Sequence, residues 1–294
     1  MSEAATALEL AVRAVLSDRG CRPTKLTVLG AGLDHAAYVV DDHLVVRIGH
    51  TPAELVVREA ELLRRVAAIS PLPTPRPVWV EPAAGCLAYR MLPGQPLLHT
   101  RRTAARSSAV GTQLGRLLTV LHTRPADDWS DLIDVDDTAL ESWLAEATQN
   151  AAAARELLPR TCWPAVEAFL DAVPPPAAGQ LAVCHNDLGS EHLLVDQDVV
   201  TGVLDWSDAA RTDPARDLAL IYRDLGPPAL HAVLAAYRAG EDVPRLLDRV
   251  RFYARCGLLE DLVHGLRTGQ HMYAAKSLAG LQWLFPPTRR SDGS

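Results

Sequence analysis

The chain has 294 residues and a formal charge of −7 from 29 basic and 36 acidic side chains, with 48% apolar and 22% charged residues. That length accommodates one large domain or two lobes, and the composition excludes a disordered or collagen-like chain. The acidic balance argues against a general nucleic-acid partner.

Five cysteines (Cys21, Cys86, Cys162, Cys184 and Cys256) are scattered with no CxxC pair and no zinc-type spacing, which fits buried thiols in a reducing compartment. No apolar run approaches the roughly 18 residues of a membrane span. The opening segment carries Glu3 and Glu9, unlike a secretory or transit leader, so the sequence reads as cytoplasmic with no membrane partner. Only Lys25 and Lys276 are lysines, which leaves a lysine-dependent site few candidates.

From Glu3 to Asp18, Leu8, Ala11, Val12 and Val15 recur at helical spacing before Gly20. Leu26 to Leu29 reads as a strand interrupted by Gly30, Ala31 and Gly32. Ala37–Val40 and Leu44–Ile48 read as a hairpin over Asp41-Asp42-His43. Pro52 precedes a helix predicted over Ala53–Ile69, and strands follow at Val78–Val80 and Cys86–Met91. After Pro93-Gly94 the texture becomes rich in Ala, Leu and Arg, with helices predicted over 108–122, 138–157, 163–173, 230–239, 244–266 and 271–285. The pattern is α+β: an N-terminal unit over residues 1–92, mostly antiparallel strands, and a mainly helical unit over 93–294.

One β-rich island, Leu181 to Asp205, interrupts the helical part and holds most of the chemistry. Leu193–Val195 and Val199–Leu204 can pair over Asp196-Gln197-Asp198, which brings Asp187, His192 and Asp205 to one end. Phosphoryl transfer needs such a set: a carboxylate to orient the attacking hydroxyl, and ligands to hold Mg²⁺ against the phosphates.

The run His185-Asn186-Asp187, then His192, an apolar strand and Asp205, resembles the catalytic and metal-binding loops of the aminoglycoside phosphotransferase family. That family includes macrolide phosphotransferases and has the bilobal protein-kinase-like fold. The resemblance implies Asp187 as catalytic base, His192 at a metal-ligand position where Asn is usual, and Asp205 as principal Mg²⁺ ligand. His185 would brace the loop.

Upstream, Arg47 falls where the family's strand carries a phosphate-pairing cation, Arg in place of the kinase Lys. Glu59 falls where the helix supplies its partner. By the same resemblance Gly30 and Gly32 form a reduced nucleotide loop, and Ala88 to Met91, including Tyr89, form the hinge that reads a purine. Residues 1–92 become the nucleotide-binding lobe. Downstream, Asp213-Pro214-Ala215-Arg216-Asp217-Leu218 resembles the segment after the metal loop, with Asp217 holding the catalytic loop.

The implied activity is transfer of the γ-phosphoryl of ATP or GTP, with Mg²⁺, to a hydroxyl of a small molecule, an aminoglycoside or macrolide antibiotic. A metabolic kinase of the same fold and an inactive nucleotide-binding pseudokinase are the alternatives. A cationic acceptor needs carboxylates near the cleft, and Asp208, Asp224, Glu260 and Asp261 are the candidates, whereas a macrolide needs an apolar trough.

Overall fold

The computed structural model describes residues 3–31, 35–238, 240 and 242–286. Five strands pair into one antiparallel sheet in the order β1-β2-β3-β5-β4. They are β1 (Leu26–Ala31), β2 (His35–Val40), β3 (Leu44–Gly49), β4 (Pro77–Glu81) and β5 (Cys86–Arg90).

Because side chains alternate along a strand, β3 divides its residues between two environments. Val46 and Ile48 join Tyr38, Val40, Cys86 and Ala88 in a small core that also takes Val12 and Leu16 of α1 (Glu3–Asp18). Arg47, one register position away, points to the opposite face and meets α2 (Ala53–Ile69), whose Val56, Ala60, Leu63 and Val66 face the main core. Both helices run over the residues predicted for them.

The rest is mostly helical: α3 (Ala104–His122), α4 (Leu140–Ala153), α5 (Trp163–Leu170), α6 (Ala215–Leu225), α7 (Pro227–Ala236), α8 (Val243–Thr268) and α9 (His271–Leu284). β8 (Leu193–Asp196) and β9 (Val199–Val203) pair as predicted, with β6 (Gln95–Pro96) added to β8, while β7 (Ala182–Cys184) pairs instead with β10 (Ala210–Thr212). Helix α6 went unpredicted although Leu218, Ile221, Tyr222 and Leu225 recur at helical spacing; its buried residues also include Asp217, Arg223 and Asp224.

Helices α3 and α7 approach so closely that a Cβ on Gly111 would lie 2.5 Å from the Ala229 carbonyl oxygen, and one on Gly115 2.6 Å from that of Val233. Helix propensity alone favours Ala over Gly by about 1 kcal/mol. Overpacking against rigid backbone costs about 1–3 kcal/mol. Gly115→Ala is therefore expected to lower the midpoint of urea unfolding, and a raised midpoint would show that the two helices can move apart.

Candidate active site

Strand β7 delivers the chain to His185, after which Asn186 takes a left-handed conformation (φ 70°) that turns the backbone toward Asp187. That turn is held from behind. The buried Asp217 carboxylate accepts the His185 N–H at 3.0 Å on Oδ2 and the Asn186 N–H at 2.7 Å on Oδ1. His122, at the end of α3, lies 3.1 Å from the same Oδ2 and 2.8 Å from the Tyr237 hydroxyl. Cys184 Sγ stands 3.7 Å from His122 Nε2, so His122, Cys184 and Asp217 form a compact buried group whose polar atoms are engaged with one another and with the loop.

His185 links two loops. Its Nδ1 accepts the Asp187 N–H at 3.2 Å, its Nε2–H donates to the Leu204 carbonyl at 2.8 Å, and its ring rests 4.5 Å from Trp206. Burial, the largest influence, lowers its pKa, as suits a neutral ring that donates on one side and accepts on the other. The brace expected at this position is what the geometry shows, and it sets Asp187 and Asp205 relative to each other. Asp205 itself has φ 55°, an uncommon backbone state for a residue other than glycine. The Ser207 hydroxyl donates to its Oδ1 at 2.6 Å.

Asp187, His192, Asp205, Arg47 and Glu59 come together. His192 Nε2 lies 3.0 Å from Asp187 Oδ2, and Arg47 is ion-paired with Glu59. Burial would raise Asp187, but the His192 hydrogen bond and charge take it down to about 2. Burial would lower His192, yet the bond to Asp187, followed by the charges of Asp187, Asp205 and Glu191, lifts it above 6.5. Asp205 ends below its usual value against burial, chiefly through Arg47. Arg47 ends above its own against burial, through Glu59 and then Asp205.

Of these, Arg47, Glu59 and Asp187 border a cleft of about 900 Å³. Four arginines line it, and each has a carboxylate partner: Arg47 with Glu59, Arg58 with Asp134, Arg216 with Asp136, and Arg223 with Asp261. Once those pairs are matched, the lining carboxylates that remain are Asp187, Asp208 and Glu260. Burial first, then neighbouring carboxylates, raises both Asp208 and Glu260.

Asp261 and Asp224 differ from the expectation of free acceptor-binding acids. Asp261 is 3.0 Å from both Arg223 and Lys276, and Asp224 takes Arg223 at 2.7 Å and the Ser190 N–H at 2.8 Å. Their charge is committed inside the protein. Gly30 belongs to β1, paired with Ala37 beyond a register shift rather than placed in an open loop, and Gly32 lies outside the described residues. Tyr89 pairs with Val45 within the sheet, its phenol pushed up to about 12 by burial. The Met91 N–H donates to the His43 carbonyl at 2.9 Å, so that donor is already used. Neither Tyr89 nor Met91 lines the cleft.

Sequence reasoning missed Arg58 and Arg216, whose partners are 76 and 80 residues away, and the pairing of Arg223 with Asp261 beside its neighbour Asp224; no local spacing announces pairs so distant. Glu191 and Lys276, 85 residues apart, were missed for the same reason.

A model described as the phosphotransferase enzyme family matches residues 25–253. The chain belongs to this family. It is 28% identical over 268 residues to viomycin phosphotransferase of Streptomyces vinaceus, covering 82% of this chain and 88% of the relative. A GDP complex of an aminoglycoside 2'-phosphotransferase-IIIa superposes with a TM-score of 0.70 at 19% identity, covering 94% of this chain and 97% of that one. The macrolide 2'-phosphotransferase MphH of Brachybacterium faecium gives 0.64 at 24% identity, covering 95% and 99%. The fold is thus the kinase-like α+β arrangement expected of a phosphotransferase, with the antiparallel sheet first and the helical part after it. Among the described residues no helix is long and apolar enough to cross a membrane.

The Asp187–His192 pair sets a pH window. A depressed carboxylate adds stability that is lost as pH falls through about 2, and a raised imidazole adds stability that is lost as pH rises through its folded value. The contribution is full between the unfolded values of about 4 and about 6.5. The Tm gap between the ligand-free protein and His192→Gln is expected to be widest inside that window and to shrink as pH rises; a gap independent of pH contradicts the pairing.

Proposed function

We propose that this phosphotransferase moves the γ-phosphoryl group of ATP or GTP to a hydroxyl of an amine-bearing antibiotic. The observation that carries the reading is the charge left in the cleft once every arginine is matched: Asp187 where the hydroxyl must sit, with Asp208 and Glu260 around it. The several ammonium groups of a multiply charged molecule find carboxylates there, whereas an uncharged apolar molecule would leave them desolvated and unmatched. The relative named for viomycin and the GDP-bound aminoglycoside neighbour support the same acceptor and donor classes.

In this reading His192 engages Asp187 Oδ2, so Oδ1 accepts the hydrogen bond from the acceptor hydroxyl. A carboxylate with a pKa of about 2 is a weak base, so Asp187 orients the nucleophile and takes its proton late, as bonding to phosphorus acidifies the oxygen. Arg47, fixed by Glu59, grips nucleotide phosphate oxygens. The hard carboxylate oxygens of Asp205 and Asp187 fit Mg²⁺, whereas the His192 Nε2 assigned to metal from sequence is turned to Asp187. Asp205 would therefore hold the ion. Bound Mg²⁺ supplies neutralisation of the phosphate charge that develops during transfer.

Asp187→Asn is expected to bind nucleotide normally and to lose about 10²–10⁴ in transfer rate. Asp205→Ala is expected to weaken Mg²⁺–nucleotide affinity. Transfer by Asp187→Asn at wild-type speed contradicts the assignment. Expression in a susceptible host is expected to protect against amine-bearing antibiotics. Protection against macrolides alone would move the acceptor class, and turnover of amino-alcohol metabolites without protection would favour a metabolic kinase. Thermal stabilisation by nucleotide with no transfer would mark a pseudokinase.

A further inference from the structure

Between Asp187 and His192 the chain makes a tight excursion, Leu188-Gly189-Ser190-Glu191, which is held from outside the cleft. The Glu191 side chain folds back over Gly189, where a Cβ would lie 2.7 Å from the Glu191 carboxyl group. That carboxylate accepts from Lys276 of α9 at 2.9 and 2.8 Å, and the Ser190 hydroxyl donates to its Oε2 at 3.4 Å. One residue earlier, the Ser190 N–H donates to Asp224 Oδ2 at 2.8 Å, and the same oxygen lies 3.3 Å from Lys276 Nζ. Asp261 of α8, on the cleft wall, completes the group at 3.0 Å from Nζ. The Lys276 side chain is only 7% exposed, and its ammonium stands 4.6 Å from the centre of the Tyr273 ring. It does not line the main cleft but a second cavity of about 260 Å³, with Ser190 and Asp224.

We propose that Lys276 is a positioning residue for phosphoryl transfer: it fixes the Asp187–His192 loop through Glu191 and Asp224, and joins that loop to the acceptor-facing wall through Asp261. The proposal rests on the phosphotransfer reading of the site. The residue type supports it. Lys276 Nζ donates to both Glu191 oxygens and to Asp224 Oδ2 and is ion-paired with Asp261, so carboxylates from the loop, α6 and α8 meet at one nitrogen, which a compact ammonium with radiating donors suits and a planar guanidinium fork does not. This chain uses arginine nearly everywhere else, and its other lysine, Lys25, makes an exposed pair with Asp42. Loss of the ammonium leaves Glu191 and Asp224 to repel each other, and the displaced loop carries Asp187 and His192 out of register with the reacting groups.

The test compares Lys276→Met, Lys276→Arg and Glu191→Gln in the full-length protein by steady-state kinetics and by amide hydrogen exchange of the 186–192 segment. Lys276→Met is expected to lower kcat by about 10- to 100-fold while KM for nucleotide changes by less than about twofold, with faster exchange in the loop. Lys276→Arg keeps the charge and is expected to recover only part of the rate. Glu191→Gln, which retains shape and serves if Lys276→Met folds poorly, is expected to match the kcat loss, and the double variant to add nothing further. A folded Lys276→Met with wild-type kcat, or single losses that multiply in the double variant, overturns the proposal. Should the wild-type protein transfer phosphoryl to no acceptor, the phosphotransfer reading fails. The exchange measurement still decides the loop contact, because unchanged protection in both variants refutes it.

Discussion

The buried Asp217 carboxylate is the constraint on which the site depends. One side chain accepts the two successive N–H groups of His185 and Asn186, and the left-handed turn at Asn186 follows from that grip. Desolvating a carboxylate this completely is costly unless its oxygens are filled. Here they are filled by two backbone donors and His122, so the group stays ionised below its usual range despite burial. The anchor reaches Asp187 by one residue and Asp205 by way of His185 and the Leu204 carbonyl. Two loops distant in sequence thereby share one origin.

The arginine-rich composition takes on meaning at the cleft. Arg58 and Arg65 both project from α2, and they reach Asp134 and Asp131 on the segment between α3 and α4. The helix that carries Glu59 is thus tied to the helical part of the molecule on both sides of that residue. Such exposed pairs contribute little stability one by one. Their geometric effect is larger, because they hold the Arg47–Glu59 pair over the same cleft as Asp187. Matching each guanidinium with a carboxylate also removes positive charge from the cavity lining, and the remaining acids define what the cavity attracts.

Much of this was legible in the amino-acid order. The hydrophobic spacing of Val56, Ala60, Leu63 and Val66 marked α2 correctly, and the order Arg47, Glu59, Asp187, His192, Asp205 named the residues that the fold brings together. Helix α6 was legible in Leu218, Ile221, Tyr222 and Leu225 at helical spacing yet went unpredicted, whereas the burial of its ionised Asp217, Arg223 and Asp224 was not legible at all. Asp261 misled for the opposite reason. Taken alone it is a plausible acid for a cationic acceptor, and only its placement against Arg223 and Lys276 shows the charge to be spent. His192 was legible in place but not in contact, since whether an imidazole turns toward an ion or toward Asp187 depends on how the loop closes. Local spacing reported elements and motifs, and partner choice across long separations needed the fold.

Phosphorus NMR of the wild-type protein with Mg²⁺, ATP or GTP and a hydroxyl-bearing, amine-rich antibiotic decides whether the phosphoryl group reaches such an acceptor. Nucleoside diphosphate is expected to appear together with a new phosphomonoester resonance on the antibiotic, in equal amounts. Consumption of nucleotide to inorganic phosphate alone, or no change in the spectrum with any such acceptor, would contradict it.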